Sequence, residues 1–141
     1  MTQEDKELLL KDLCARLPYG VKVNEDIQGD FTLVGLTKER AFTTSEEEGY
    51  HNDFPIELIK PYLFPLSSMT EEQLKDLGTY YAKDYKNIID DAIKSLESPL
   101  VMYKAAHVCF NTLEWHNKNH FDYRGLIEKG LAIDATGLDI Y

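Results

Sequence analysis

Apolar residues recur with a helical period at the start of the chain. Leu10, Leu13, Cys14 and Leu17 stand at i, i+3, i+4 and i+7, while Glu4, Glu7, Lys11 and Arg16 lie mostly off that stripe. Thr2 is placed to cap this helix, and Pro18-Tyr19-Gly20 stops it and turns the chain. Val21-Lys22-Val23 then alternates like a strand, residues 24–30 read as a turn around Gly29, and Phe31 to Thr37 alternates again. Ala41-Phe42-Thr43-Thr44 supplies a short third strand. From Ser45 to Asp53 the periodicity disappears, and the run Glu46-Glu47-Glu48 predicts a solvated acidic loop.

The segment from Phe54 to Leu66 is rich in aromatic and aliphatic side chains but carries Pro55, Pro61 and Pro65. Proline removes a donor from a helix or a central strand. The segment therefore reads as one short helical turn followed by an extended strap over the core. Thr70-Glu71-Glu72-Gln73 is a capping box that opens a helix over 70–97, with Leu74, Leu77, Tyr81, Tyr85, Ile88, Ile89, Ala92 and Leu96 on one side. Ser98-Pro99 opens the next helix, 99–119, which is apolar nearly all round and so predicted to be central. A joint this short packs the two helices antiparallel. The expected fold is α+β: a small three-stranded antiparallel sheet packed against a long antiparallel helical hairpin and an N-terminal helix. Residues 1–141 are expected to form a single domain whose tail frays from about 134.

A formal charge of −10 disfavours direct nucleic-acid binding, which needs clustered Lys and Arg to displace counterions. No apolar run approaches the ~18–20 residues of a membrane span, and the acidic start of the chain lacks the layout of a secretory signal. Cys14 and Cys109 have no CxxC or CxH companion, and both fall on helical apolar faces. They read as reduced, buried thiols of a cytoplasmic protein rather than as a disulfide, a metal site or nucleophiles.

His116 and His120 are the one arrangement with the spacing of a chelating pair, with Glu114 two residues earlier. Asn117 stands where the metalloprotease pattern places its glutamate base, and Glu114, Asp122, His107 or His51 would have to complete the ligand set. Both imidazoles also continue the Met102–Cys109–Leu113 stripe into the last turns of a helix, where they can bond terminal carbonyls. That end-capping role is the expectation, so no catalytic, cofactor-binding or metal residue is assigned. Nine tyrosines are many for this length: ordinary amphipathic packing is their favoured role, and Tyr80, off the stripe, and Tyr50, in the acidic loop, are the ones suited to protein contacts.

Three stretches taken in order carry a resemblance: Leu13-Cys14-Ala15-Arg16-Leu17-Pro18-Tyr19-Gly20-Val21, then Lys60-Pro61-Tyr62-Leu63-Phe64-Pro65-Leu66-Ser67-Ser68-Met69-Thr70, then Asn119-His120-Phe121-Asp122-Tyr123-Arg124-Gly125-Leu126-Ile127. Together they resemble a family of short, uncharacterised proteins of gut Bacteroides-type bacteria and their phages and mobile elements. The resemblance implies a cytoplasmic bacterial or phage origin, and no functional residue carries over with it. The resulting expectation is a non-catalytic module that binds another protein through its acidic face, the 45–53 loop or exposed tyrosines, with no cofactor. The alternatives are a metal-dependent hydrolase centred on His116 and His120, and an acidic mimic of DNA.

Overall fold

The structure is a computed structural model that describes residues 1–45, 49, 51–73, 76–77 and 112–141. The chain divides into two compact units, Met1–Ser68 together with His120–Tyr141, and Met69–Asn119.

In the first unit, helix α1 spans Gln3–Arg16. Thr2 caps it reciprocally: its hydroxyl accepts from the Asp5 amide, and the Asp5 carboxylate accepts from the Thr2 amide. The buried side of α1 is Leu9, Asp12, Leu13 and Arg16. This is the expected stripe displaced by one position, and the displacement leaves Cys14 exposed rather than buried. Apolarity alone chose the phase through Leu10 and Leu17, which are only partly buried. An Asp–Arg pair that is polar in sequence but neutral as a unit occupies the true core face. A 3-10 turn at Leu17–Tyr19 and Gly20, at φ 66°, then end the helical run where Pro18 and Gly20 predict.

Seven strands follow: β1 (Lys22–Glu25), β2 (Gly29–Leu36), β3 (Arg40–Thr44), β4 (His51–Pro55), β5 (Ile59–Pro65), β6 (Phe121–Asp122) and β7 (Ile133–Asp134). Their order is β4-β3-β2-β1-β5-β6, with β7 also on β5. The four ladders from β4 to β5 are antiparallel, and β6 and β7 join β5 in parallel. The three-stranded antiparallel sheet expected from sequence is therefore corrected to a seven-stranded mixed one. Its extra strands come from the end of the acidic loop, from the proline-rich strap and from the region after residue 120.

The strap is the instructive correction, because β5 lies inside the sheet despite Pro61 and Pro65. Pro61 sits opposite Val23 at the end of the β1 ladder, and Pro65 opposite Asp122 at the end of the β6 ladder. At such positions a missing N–H removes little of the ladder. Residue 134, where fraying was expected to begin, lies in β7 beside Leu63.

Strand alternation sends Val23, Phe31, Leu33, Ala41 and Phe54 to one face of the sheet, where they pack with Leu9 and Leu13 of α1 and with Val21, Ile56 and Ile59. Phe31 and Phe54 meet at a centroid distance of 5.2 Å. A second cluster joins Leu63 to Leu126, Leu131 and Ala132, with Leu8 and Ile127 against it.

In the second unit the Thr70 capping box forms: the Thr70 amide donates to Gln73 Oε1 (2.9 Å) and the Gln73 amide to Thr70 Oγ1 (3.2 Å). Residues 71–73, 76–77 and 112–118 are helical. Trp115 Nε1 donates to Asp76 Oδ2 at 2.9 Å. The long helical hairpin is not among the described elements. Most of the two segments assigned to it, including His107 and Cys109, lies outside the described residues. Among the described residues no helix is long and apolar enough to cross a membrane.

Candidate functional site

A buried cluster of ionisable side chains in the first unit lies between α1 and residues 120–127. Asp12 and Arg16 are one helical turn apart and wholly buried, joined by Arg16 Nε to Asp12 Oδ2 at 2.7 Å and Arg16 Nη2 to Asp12 Oδ1 at 3.0 Å. Arg16 Nη2 also donates to the Phe121 carbonyl at 2.7 Å. Arg124 Nε approaches Asp12 Oδ1 to 3.3 Å. The Tyr123 ring stands near both guanidinium groups, 5.5 Å from the Arg16 carbon and 4.8 Å from that of Arg124. Asp122 is taken up by backbone: its two oxygens accept from the amides of Leu126 and Ile127 at 2.9 and 2.8 Å. The arrangement ties the returning segment to α1, and its carboxylates are bound as acceptors of fixed donors.

His120 begins that segment. It is the one non-glycine residue with positive φ (60°) among the described residues. The conformation turns the chain so that the His120 carbonyl accepts from the Phe64 amide at 2.9 Å and β6 can start. Its imidazole stacks on the Tyr141 ring, with centroids 3.8 Å apart and planes within 9°. Burial, reinforced by the Arg16 cation, pushes the imidazole down to about 4. It is therefore neutral at physiological pH. Nδ1 is buried with no hydrogen-bond partner among the described residues.

Two phenols complete the surroundings. The Tyr62 hydroxyl donates to Asp30 Oδ1 at 2.7 Å, and burial followed by that hydrogen bond pushes it up to about 12. The Tyr141 hydroxyl donates to the Tyr62 carbonyl at 2.7 Å and accepts from the Lys22 amide at 3.2 Å, and burial raises it as well. Both phenols hold their protons throughout the physiological range.

The histidine pair singled out by its spacing is not realised on one helix. His116 lies within the helical stretch 112–118, and its Nδ1 is 2.6 Å from the Thr112 carbonyl one turn back, as an end-capping imidazole would be. His120 lies beyond that stretch, in the turn that starts β6, and belongs to the other unit. Of the further ligands considered, Asp122 is engaged by amides, His51 is exposed on β4 and Glu114 is exposed on the helix. Among the described residues no group of three or more His, Cys, Asp or Glu side chains could hold a metal ion.

Sequence reading missed Asp12, Arg16, Arg124 and Tyr141. The i, i+4 spacing of Asp12 and Arg16 was a usable signal. Nothing local marks the ion pair of Arg124 with Asp12 or the hydrogen bond of Tyr141 to the Tyr62 carbonyl, because those two partners are more than seventy residues away in the chain.

The opposite face of the β1–β4 sheet is of another kind. Val34 stands at the register shift between Leu33 and Gly35, and Phe42 lies opposite Gly35 with its side chain packed over it. Both are exposed, at 48% and 40%. The Arg40 guanidinium pairs with Asp53 on the neighbouring strand and flanks Phe42, whose direct cross-strand partner is Asp53. Two exposed apolar side chains thus sit on a face that also carries an exposed ion pair. Comparison with protein-family models, curated proteins and solved structures finds no match to this chain.

Proposed function

We propose that this chain is a non-catalytic protein-interaction module that meets its partner through the outer face of the β2–β4 sheet. The observation that carries the reading is the exposed Val34–Phe42 pair bordered by the Arg40–Asp53 ion pair. An aromatic anchor inside a polar rim is the usual anatomy of a contact surface. The ionisable cluster between α1 and residues 120–127 supports the same reading from the other side. Its charges are spent on one another and on backbone groups, so they serve architecture. The chain's formal charge of −10 favours a basic partner and a salt-sensitive association. The exposed, unpaired thiol of Cys14 suits a reducing, cytoplasmic setting, and the resemblance noted above would make that the cytoplasm of a bacterium or an infected cell.

The test is affinity capture from host extract with immobilised wild-type protein, Val34→Ser/Phe42→Ser, and Glu46→Gln/Glu47→Gln/Glu48→Gln, read by quantitative mass spectrometry. A specific partner is expected to fall at least about tenfold with the double variant, in line with the loss of one anchor residue. The charge variant should weaken capture by less and flatten its salt dependence. Equal capture by wild type and the Val34/Phe42 variant, with both folded by circular dichroism, would reject this surface.

A further inference from the structure

Tyr141 occupies a place in the sheet that the strands themselves leave open. The β1–β5 ladder pairs Glu25 with Ile59, Asn24 with Lys60 and Val23 with Pro61, so the next rung would join Lys22 to Tyr62. There the phenol hydroxyl stands between the strands, accepting from the Lys22 amide at 3.2 Å and donating to the Tyr62 carbonyl at 2.7 Å. The ring is held by the stack on His120 at 3.8 Å and by Phe64, at a tilt, 5.9 Å away. One donor, one acceptor and a flat neutral platform are arranged around a hydroxyl that must both give and take a hydrogen bond. An aromatic hydroxyl meets that specification, whereas an ammonium can only donate and a carboxylate can only accept.

The segment bearing Tyr141 is lightly held. From Thr136 onward it has no strand pairing; the Thr136 amide donates to Asp134 Oδ1 at 2.8 Å and the Leu138 amide to the Ala135 carbonyl at 3.0 Å. Tyr141 itself stays 44% exposed. We propose that the slot formed by Lys22, Tyr62, Phe64 and His120 is a recognition site for a para-substituted phenol, with Tyr141 as its resident occupant. A competing phenol, whether a free small molecule or a tyrosine side chain, exchanges with Tyr141 and releases residues 136–141. The tether gives Tyr141 an effective concentration on the order of millimolar, so the wild-type chain resists exchange and a variant lacking the ring reads the slot directly. This inference stands independently of the outer-face reading, because the two surfaces share no residue.

The experiment titrates Tyr141→Ala with p-cresol, followed by the Lys22 amide and His120 imidazole resonances, with toluene and the wild-type protein as controls. Saturable shifts are expected for p-cresol, at least about tenfold tighter than for toluene and than for wild type, together with a rise in Tm of the variant toward the wild-type value. The same titration with N-acetyl-tyrosinamide separates the sources: tighter binding than p-cresol assigns the slot to a tyrosine side chain, weaker binding to a free phenol. If Lys22 and Tyr62 pair directly in the variant, p-cresol gives no saturable response and the proposal falls. It falls equally if toluene binds as well as p-cresol. Should Tyr141→Ala not fold, Tyr141→Phe keeps the ring and removes only the hydroxyl. Hydrogen exchange of the Lys22 amide is then expected to speed up at least about tenfold, and unchanged protection would overturn the assignment.

Discussion

Arg16 and Asp12 are fully buried, and each is the other's nearest counter-charge. Removing one member of such a pair strands the other in a low dielectric, which costs about 3–5 kcal/mol. Asp12→Ala is therefore expected to lose about that much in urea unfolding, while the double variant Asp12→Leu/Arg16→Met should recover a large part of it. A second residue-level expectation concerns pH. The His120 imidazole lies at about 4 in the folded chain against 6.5 when free, so below 6.5 the unfolded state binds the proton that the folded state refuses. The resulting stability is fully present above about 6.5 and is lost as pH falls from 6.5 toward 4. His120→Asn, which tolerates positive φ, should lose less stability than wild type between about pH 7 and about pH 5. A parallel decline in both proteins would remove His120 as the cause.

At the scale of elements, local chemistry was the legible part. The Thr2 cap, the Pro18–Gly20 stop, the strands around Val23, Phe31 and Phe42, and the Thr70 capping box were all readable, because each rests on neighbours in the chain. The phase of α1 was not, since a buried ion pair looks polar one residue at a time. Nor was β5, where prolines argued against a strand and only the ends of its ladders explain their place. The candidate site was less legible still, because the His116–His120 spacing presumed one helix and a left-handed residue ends it. Two element-level predictions follow from local geometry. Gly20→Ala forces a side chain into φ 66° and should cost about 1–2 kcal/mol. Glu25→Ala removes the carboxylate that accepts from the Ile27 and Gln28 amides in the β1–β2 turn. Amide exchange at those two residues should accelerate, and the tip carrying the 91% exposed Ile27 should lose its fixed shape.

At the scale of the whole molecule, the first unit is assembled from two stretches of chain separated by residues 69–119. β5 receives β1 from the first stretch and β6 and β7 from the second. Arg16 finds its carbonyl acceptor 105 positions later. Such non-local closure slows folding relative to a chain of local contacts. Refolding of the wild-type protein should accordingly be slow. Asp12→Ala should lower the folding rate only if the α1 anchor forms in the transition state, which chevron analysis reads directly.

That separation also bears on how the protein is born. A ribosome adding about 5–20 residues per second needs roughly 5–20 s to go from Arg16 to Phe121. Throughout that interval the nascent helix carries a guanidinium without its final acceptor, and β5, once it has been made, lacks both of its parallel neighbours. The growing polypeptide is thus a natural client for chaperones, and slowing translation before β7 is made should raise the aggregated fraction while slowing it after residue 134 should not.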